Sequence, residues 1–393
     1  MESILVEQLP SRRRSLRLAM VTETYPPEVN GVALSLSRFV EGLRERNHDI
    51  QLIRPRQAAI ERPAQQHGFD EMLTTGMPIP RYPDLKMGLP AKRALLRQWT
   101  LKRPDLVHIV TEGPLGWSAL QAAHKLKIPV CSDFRTNFHA YSLHYGIGWL
   151  KKPIVAYLKK FHNRTLLTMV PTEQLRAELA ADGFLNLRVV ARGVDTQLFH
   201  PGKRSQALRQ SWGVQADTPV VLHVGRLAAE KNLGTVTAAF NAIRQQRPDA
   251  RLVLVGDGPE KKALQSLVPD AIFAGTQRGE GLAAHYASGD IFLFPSLTET
   301  FGNVTLEAMA SGLPMVAYDY AAAAQHLQDK HSARLAAYGQ TEDFTTLASD
   351  LAVMHGRNPQ GFADIGRHAR RSAEALDWTC VVQHMEQLLF SVA

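Results

Sequence analysis

Two carboxylates in the stretch PSLTETFGNVTLEAMASGLP, residues 295 to 314, stand eight positions apart. Side chains meet on a helix at three or four positions, so Glu299 and Glu307 are not a helical pair. Gly302 between them permits a tight turn. The apolar run beyond it predicts a helix opening near Asn303 or Val304. Glu299 then lies on the loop leaving the predicted strand DIFLFPS (290–296), and Glu307 lies about one turn into the helix. The unpaired N–H groups and positive dipole end of that helix start make an anion site between two carboxylates. A molecule with hydroxyls at both ends and phosphate between them suits this arrangement, and a nucleotide sugar is such a molecule. Taken alone, two glutamates at this spacing also arise by chance, so the surrounding loops must decide.

In VGRLAAEKN, residues 224 to 232, a predicted strand ends in Gly225-Arg226, and Lys231 follows five residues later. A forked guanidinium and a compact ammonium on one strand-end loop suit a diphosphate, although in isolation the loop reads sooner as a solvated basic turn. VGDGPE, residues 255 to 260, opens like GxGxxG but has Lys261 where the third glycine belongs. It also follows a later strand of its domain, so it reads as a tight strand-end turn and not a dinucleotide site. PPEVNGV, residues 26 to 32, closes the first strand, and Gly31 before a helix could bring backbone N–H groups to a phosphate. The chain has no GxxxxGK[ST] loop, no HExxH and no GxSxG elbow. It also lacks an Asp-x-Asp pair to hold a metal on a sugar diphosphate, so a mechanism without a metal or other cofactor is expected.

The elements that must carry these loops alternate strand and helix twice. LRLAMVTET (16–24), HDIQLIRP (48–55), DLVHIV (105–110), IPVCSDF (128–134) and LLTMVP (166–171) form the first series. PVVLHVGRL (219–227), ARLVLVGDGP (250–259), AIFAG (271–275), DIFLFPS and PMVAYD (314–319) form the second, after a linker-like stretch ARGVDTQLFHPGKRS at 191–205. The reading is α/β, two doubly wound domains with a cleft between them: residues 1–196, and 197–376, with a last helix at 377–393. The 393 residues, 45% apolar and 21% charged, are those of a globular protein. No apolar run is long enough to span a bilayer. The early basic residues follow a short apolar run, the wrong order for a secretory signal. Cys131 and Cys380 have no metal-binding spacing, which points to the cytosol. A net charge of +8 asks for a polyanionic neighbour.

Together these segments resemble the retaining glycosyltransferases of family 4, which have the GT-B fold. The resemblance runs from LRLAMVTETYPPEVNGVALSLSRFVEGL through RGVDTQLFHP, VGRLAAEKN and VGDGP to the PS…E.FG…LEAMA.G.P frame. It implies that Arg226 and Lys231, following Gly225, bind the donor diphosphate and stabilise the leaving group. Glu299 would hold hydroxyls of the transferred sugar with backbone N–H groups at Phe301, Gly302 and Asn303. Val304, Thr305 and the helix start would approach the phosphate, and Glu307 the ribose. Phe273 to Gly275 would lie against the nucleobase, and Gly31 would complete the phosphate site. One departure concerns the family's FHTS-like string: here DFRTNFHAY places Arg135 where that His belongs, with His139 four residues on. Either could face the sugar. The implied reaction keeps the anomeric configuration, with a UDP-sugar favoured as donor.

WLKKPIVAYLKKFHNRTLL, residues 149 to 167, carries Lys151, Lys152, Lys159, Lys160 and Arg164 among apolar residues with no acid. It reads as a contact of 149–164 with an anionic membrane surface, or as a solvated basic face on a core helix. Arg12, Arg13 and Arg14 could extend the footprint. ETYPPEVNGVA and HAYSLHYG resemble the branch holding sulfoquinovosyl-diacylglycerol synthases and lipid α-glucosyl- or α-mannosyltransferases. That branch implies a membrane lipid acceptor such as diacylglycerol and a peripheral place on the inner face of the cytoplasmic membrane. Glu23, Tyr25 and Glu112, on strand-end loops, are the candidate acceptor residues. Lipopolysaccharide or a polyol as acceptor, and a non-catalytic nucleotide-sugar binder, are the rivals. No nucleic-acid element is seen.

Overall fold

The computed structural model describes residues 15–393 apart from Val29, Ala59, 80–81, 136–150 and Thr300. His139, Trp149 and Arg12 to Arg14 lie outside the described residues. The chain divides into two compact units, one of Met1–Ser132 with Leu388–Ala393 and one of Asp133–Gln387.

In the first unit, β1 (Arg17–Val21), β2 (Asp49–Pro55), β3 (Gln65–Gln66), β4 (Phe69–Thr74), β7 (Leu106–Ile109) and β8 (Val130–Asp133) lie in the order β8-β7-β1-β2-β4-β3. The pairings are parallel except β3 with β4. β5 (Gly76–Ile79) and β6 (Tyr82–Gly88) form a separate antiparallel hairpin. Leu18 to Val21 are fully buried, as expected of a central parallel strand covered on both faces. The helix Gly31–Glu45 turns Ala33, Leu36, Phe39, Val40 and Leu43 inward at helical spacing. Trp99 anchors a further helix, its indole N–H donating to Gln51 Oε1 at 2.9 Å.

In the second unit, β9 (Leu167–Val170) and β10 (Leu187–Val189) pair in parallel. β11 (Val220–Val224), β12 (Arg251–Val255), β13 (Ile272–Gly275), β14 (Ile291–Phe294), β15 (Met315–Tyr318) and β16 (Arg334–Ala336) form a parallel sheet ordered β13-β12-β11-β14-β15-β16. Strand order reverses between β11 and β14. In doubly wound sheets a ligand crevice opens at the carboxyl ends of the two strands at such a reversal. The segments leaving those two ends begin with Gly225-Arg226 and with Pro295, the start of the run holding Glu299.

The linker-like stretch 191–205 is not a linker in structure. Val194 and Phe199 are buried in the core of the second unit, and Arg204 pairs with Asp290 at 2.8 Å. Its glycine, proline and charge imitate a linker, but its apolar side chains have a core to enter. The basic helix Lys151–His162 likewise uses its apolar stripe internally. Leu158 and Phe161 are buried, and Ile154 and Val155 pack against the cluster holding Leu158, Phe134, Leu175 and Phe184. What faces outward is Lys152, Lys160 and Arg164, with Tyr157. Among the described residues no helix is long and apolar enough to cross a membrane.

Candidate active site

Glycines fix the loops at the strand ends. A Cβ at Gly256 would stand 1.9 Å from the Gly225 carbonyl oxygen, and one at Gly258 would stand 2.3 Å from that of Leu227. Backbone therefore lies on backbone here, and the two glycines serve loop packing, as the tight-turn reading of VGDGP expects. The N–H of Leu227 donates to Asp257 O at 2.9 Å, tying the Arg226 loop to its neighbour.

Lys231 and Glu299, read separately from the sequence, meet: the ammonium bonds to Glu299 Oε1 and lies 5.7 Å from the Phe294 ring centroid. Ser296 Oγ donates to the same carboxylate oxygen at 2.7 Å, and Tyr320 OH donates to the Glu299 backbone carbonyl at 2.9 Å. Tyr338 OH donates to Leu297 O at 2.6 Å, so two tyrosines hold the loop that carries the acid. Arg226 is more exposed and pairs with buried Glu230 at 2.5 Å.

Gly302, at φ +93°, makes the left-handed turn that opens the helix Asn303–Ala310. Phe301 is buried beneath it and Thr305 is buried in its first turn, while Val304 is half-buried. Glu307 lies one turn in and accepts from Tyr286 OH at 2.8 Å. Burial pushes its carboxyl up to about 7, only partly offset by that hydrogen bond. A carboxyl so poised gains from any hydroxyl donor that stabilises its charged form. Phe273 is half-buried within β13, and the carbonyl of Gly275 at the strand's end accepts from the Gly256 N–H at 2.8 Å.

Sequence reasoning missed Arg192. Its Nη1 donates to Asn303 Oδ1 at 3.2 Å, and its guanidinium lies 5.8 Å from the Phe301 ring centroid. Burial, then the like charge of Arg135, pushes Arg192 down to about 9, opposed by Glu299 and Asp133. Arg135 is itself buried and bonded to Asp133 Oδ2 through Nε at 2.6 Å. His223 on β11 is a second omission: Nδ1 bonds to Leu293 O at 3.0 Å, and burial pushes the ring down to about 4, so it is neutral. Only the RGVD string marked Arg192, and nothing in the sequence marked His223.

In the first unit, Asn30 caps the Gly31–Glu45 helix, its Oδ1 accepting from Val32 N at 3.1 Å and Ala33 N at 2.9 Å. Gly31 is the first helical residue, and those two neighbouring donors are already engaged. Glu23 accepts from Leu115 N at 3.3 Å at the start of the helix Pro114–Leu126. A Cβ at Gly113 would lie 2.1 Å from that carboxylate, so glycine makes its room. Burial, with Glu112 as a like charge, raises Glu23 to about 7. Burial pushes Tyr25 up to about 12. Glu23 and Glu112 are thus within electrostatic reach of one another.

The six-stranded parallel sheet thus carries, at its strand reversal, a glycine-opened helix and a Lys–Glu pair, the arrangement the sequence pattern expects. The family comparisons agree. Residues 29–198 match the model described as Glycosyltransferase Family 4, and residues 218–352 match that described as Glycosyl transferases group 1. A GDP-mannose-dependent alpha-mannosyltransferase of Corynebacterium glutamicum is 37% identical over 306 residues, 77% of this chain and 72% of that protein. An alpha-monoglucosyldiacylglycerol synthase of Acholeplasma laidlawii is 28% identical, over 77% of this chain and 80% of that one. A solved sucrose-phosphate synthase of Thermosynechococcus elongatus superposes with TM-score 0.76 at 18% identity, covering 97% of this chain and 100% of that chain. The chain belongs to glycosyltransferase family 4 and has the GT-B fold. It is a glycosyltransferase.

Proposed function

We propose that this enzyme moves mannose from GDP-mannose to a membrane lipid, with retention at the anomeric carbon and without a metal ion. The observation that carries the reading is the Lys231–Glu299 pair beside the glycine-opened helix that holds Glu307. The family resemblance favoured a UDP-sugar; GDP-mannose is supported instead by the name of the Corynebacterium relative at 37% identity. Retention is supported by the name of that relative, an alpha-mannosyltransferase, since the mannosyl bond in GDP-mannose is itself α. The lipid acceptor rests on the Acholeplasma relative, whose name specifies diacylglycerol, and diacylglycerol is the leading candidate.

In this reading Lys231 exchanges Glu299 for the donor diphosphate, with Arg226 beside it, and the released Glu299 accepts hydroxyls of the mannosyl ring. The N–H groups of Phe301, Gly302 and Asn303 assist, the helix start with Val304 and Thr305 meets the phosphate, and Glu307 takes the ribose. Phe273 and Gly275 border the base. Arg135 or His139 contacts the sugar, Gly31 adds to the phosphate site, and Glu23, Tyr25 and Glu112 serve the acceptor. The acceptor oxygen bonds to the anomeric carbon as the bond to the phosphate oxygen breaks on the same face. The acceptor's proton passes to a phosphate oxygen. Positive charge held at the departing diphosphate is the protein's main contribution, and removing one such contact costs about 3 kcal/mol, or about a hundredfold in rate.

The outward face of Lys152, Lys160 and Arg164 supports peripheral attachment to an anionic bilayer on the cytoplasmic side. The test supplies GDP-mannose or UDP-glucose, with EDTA, to vesicles containing diacylglycerol and an anionic phospholipid. An α-mannosyl lipid, read from the anomeric proton, supports the reading. A glucosyl product, a β linkage or complete loss of turnover in EDTA contradicts the donor, the stereochemistry or the metal independence respectively.

A further inference from the structure

Buried polar groups in folded proteins are satisfied with few exceptions, and an exception asks for an explanation. Arg192 is one. It is 7% exposed, and among the described residues its buried Nε has no hydrogen-bond partner, while Nη1 holds the side chain of Asn303, the first residue of the Asn303–Ala310 helix. Among the described residues, the like charge of Arg135 adds to the cost of burying Arg192, opposed by the carboxylates of Glu299 and Asp133. A guanidinium forced into such a place is stabilised by an anion, and a planar fork beside helix N–H groups is the geometry that phosphate oxygens take.

We propose that Arg192 is a donor-binding residue whose guanidinium, held by Asn303, takes an oxygen of the donor's diphosphate. The proposal rests on the sugar-nucleotide reading above and adds to it a third cation, placed by the RGVD segment and not by the VGRLAAEK loop. Desolvation and the like charge of Arg135 disfavour the charged form of Arg192, and the negative charge of a diphosphate would offset both. Asn303 acts as the positioning residue for the guanidinium.

The test is titration calorimetry of the full chain with GDP, UDP, GMP and guanosine, on wild type, Arg192→Gln and Arg192→Lys, each first shown to unfold at a temperature near that of wild type. The proposal expects Arg192→Gln to raise the Kd of the preferred nucleoside diphosphate at least tenfold, with that of guanosine unchanged. Arg192→Lys, which keeps charge but not the fork, falls between. An unchanged diphosphate Kd in a folded Arg192→Gln overturns it, and so does an equal loss for guanosine, which would mark a structural role. Should Arg192→Gln not fold, the Nε–H resonance of Arg192, assigned with Arg192→Lys, gives the answer: GDP or UDP shifts it if the proposal holds and leaves it in place if not. If wild type binds neither GDP nor UDP, the sugar-nucleotide reading fails and the proposal with it. A diphosphate Kd unchanged in Arg192→Gln, with wild-type binding intact, removes only Arg192.

Discussion

Glu307→Gln separates the electrostatics of the helix from its shape. The amide keeps an oxygen for the Tyr286 hydroxyl at 2.8 Å but cannot ionise. Burial lifts the wild-type carboxyl from 4.5 to about 7, so the folded protein keeps that proton to higher pH than the unfolded chain. Stability from this group is therefore complete below pH 4.5 and is lost as pH rises through about 7. The whole loss is about 3 kcal/mol, at 1.36 kcal/mol for each pH unit of separation. Against wild type, Glu307→Gln should gain up to about 3 kcal/mol at pH 8.5 and nothing at pH 4.5, or about 6 °C in Tm at the alkaline end for a unit of this size. Other titrating groups, Glu23 among them, are shared by both proteins and cancel in the difference. Scanning calorimetry across that pH range reads it. Parallel Tm-against-pH curves would show that Glu307 is not the titrating group and refute the reasoning. The ribose role adds a second reading: hydroxyl donors favour the carboxylate, so nucleotide binding near pH 7 should release protons. Calorimetry in buffers of different ionisation enthalpy detects that release, and Glu307→Gln should abolish it.

Other substitutions report on the frame. Asp290→Ala removes the partner of buried Arg209 and an acceptor for the Val220 N–H, each at 2.8 Å, leaving an uncompensated buried charge. A loss of about 3–5 kcal/mol is expected by urea unfolding. Gly256→Ala drives a methyl to 1.9 Å from the Gly225 carbonyl at a φ of +138°, and should cost more than about 2 kcal/mol in the same assay. Tyr320→Phe frees the Glu299 carbonyl and should raise KM for the donor several-fold while leaving Tm within about 2 °C, measured by initial rates. Reversing Lys152, Lys160 and Arg164 to Glu should abolish sedimentation with anionic vesicles at low salt and leave donor binding unchanged.

Much of this was legible in the sequence because it is local. Ten apolar runs became strands, since parallel strands buried on both faces read as continuous hydrophobic stretches. Glu299 on a loop and Glu307 one turn into a helix follow from Gly302 and the run after it. What was not legible depends on partners distant in sequence. Arg192 meets Asn303 across 111 positions, and Lys231 meets Glu299 across 68. Tyr286 and Tyr320 look like ordinary aromatics until the fold brings their hydroxyls to Glu307 and to the Glu299 carbonyl. The strands β3 to β6, β10 and β16 are short or polar and gave no apolar run. The stripe of the 151–162 helix showed the reverse difficulty: its amphipathic pattern was clear, and only packing showed that the apolar face is core.

The central claim is that the Lys231–Glu299 pair serves transfer of mannose to lipid. Mass spectrometry of lipid products settles it, with GDP-mannose, diacylglycerol vesicles and wild type set beside Glu299→Ala and Lys231→Ala. A mannosyl-diacylglycerol made by wild type and reduced at least about a hundredfold in each variant is the predicted result. A product undiminished in either variant, or no mannosyl lipid from wild type, would contradict it.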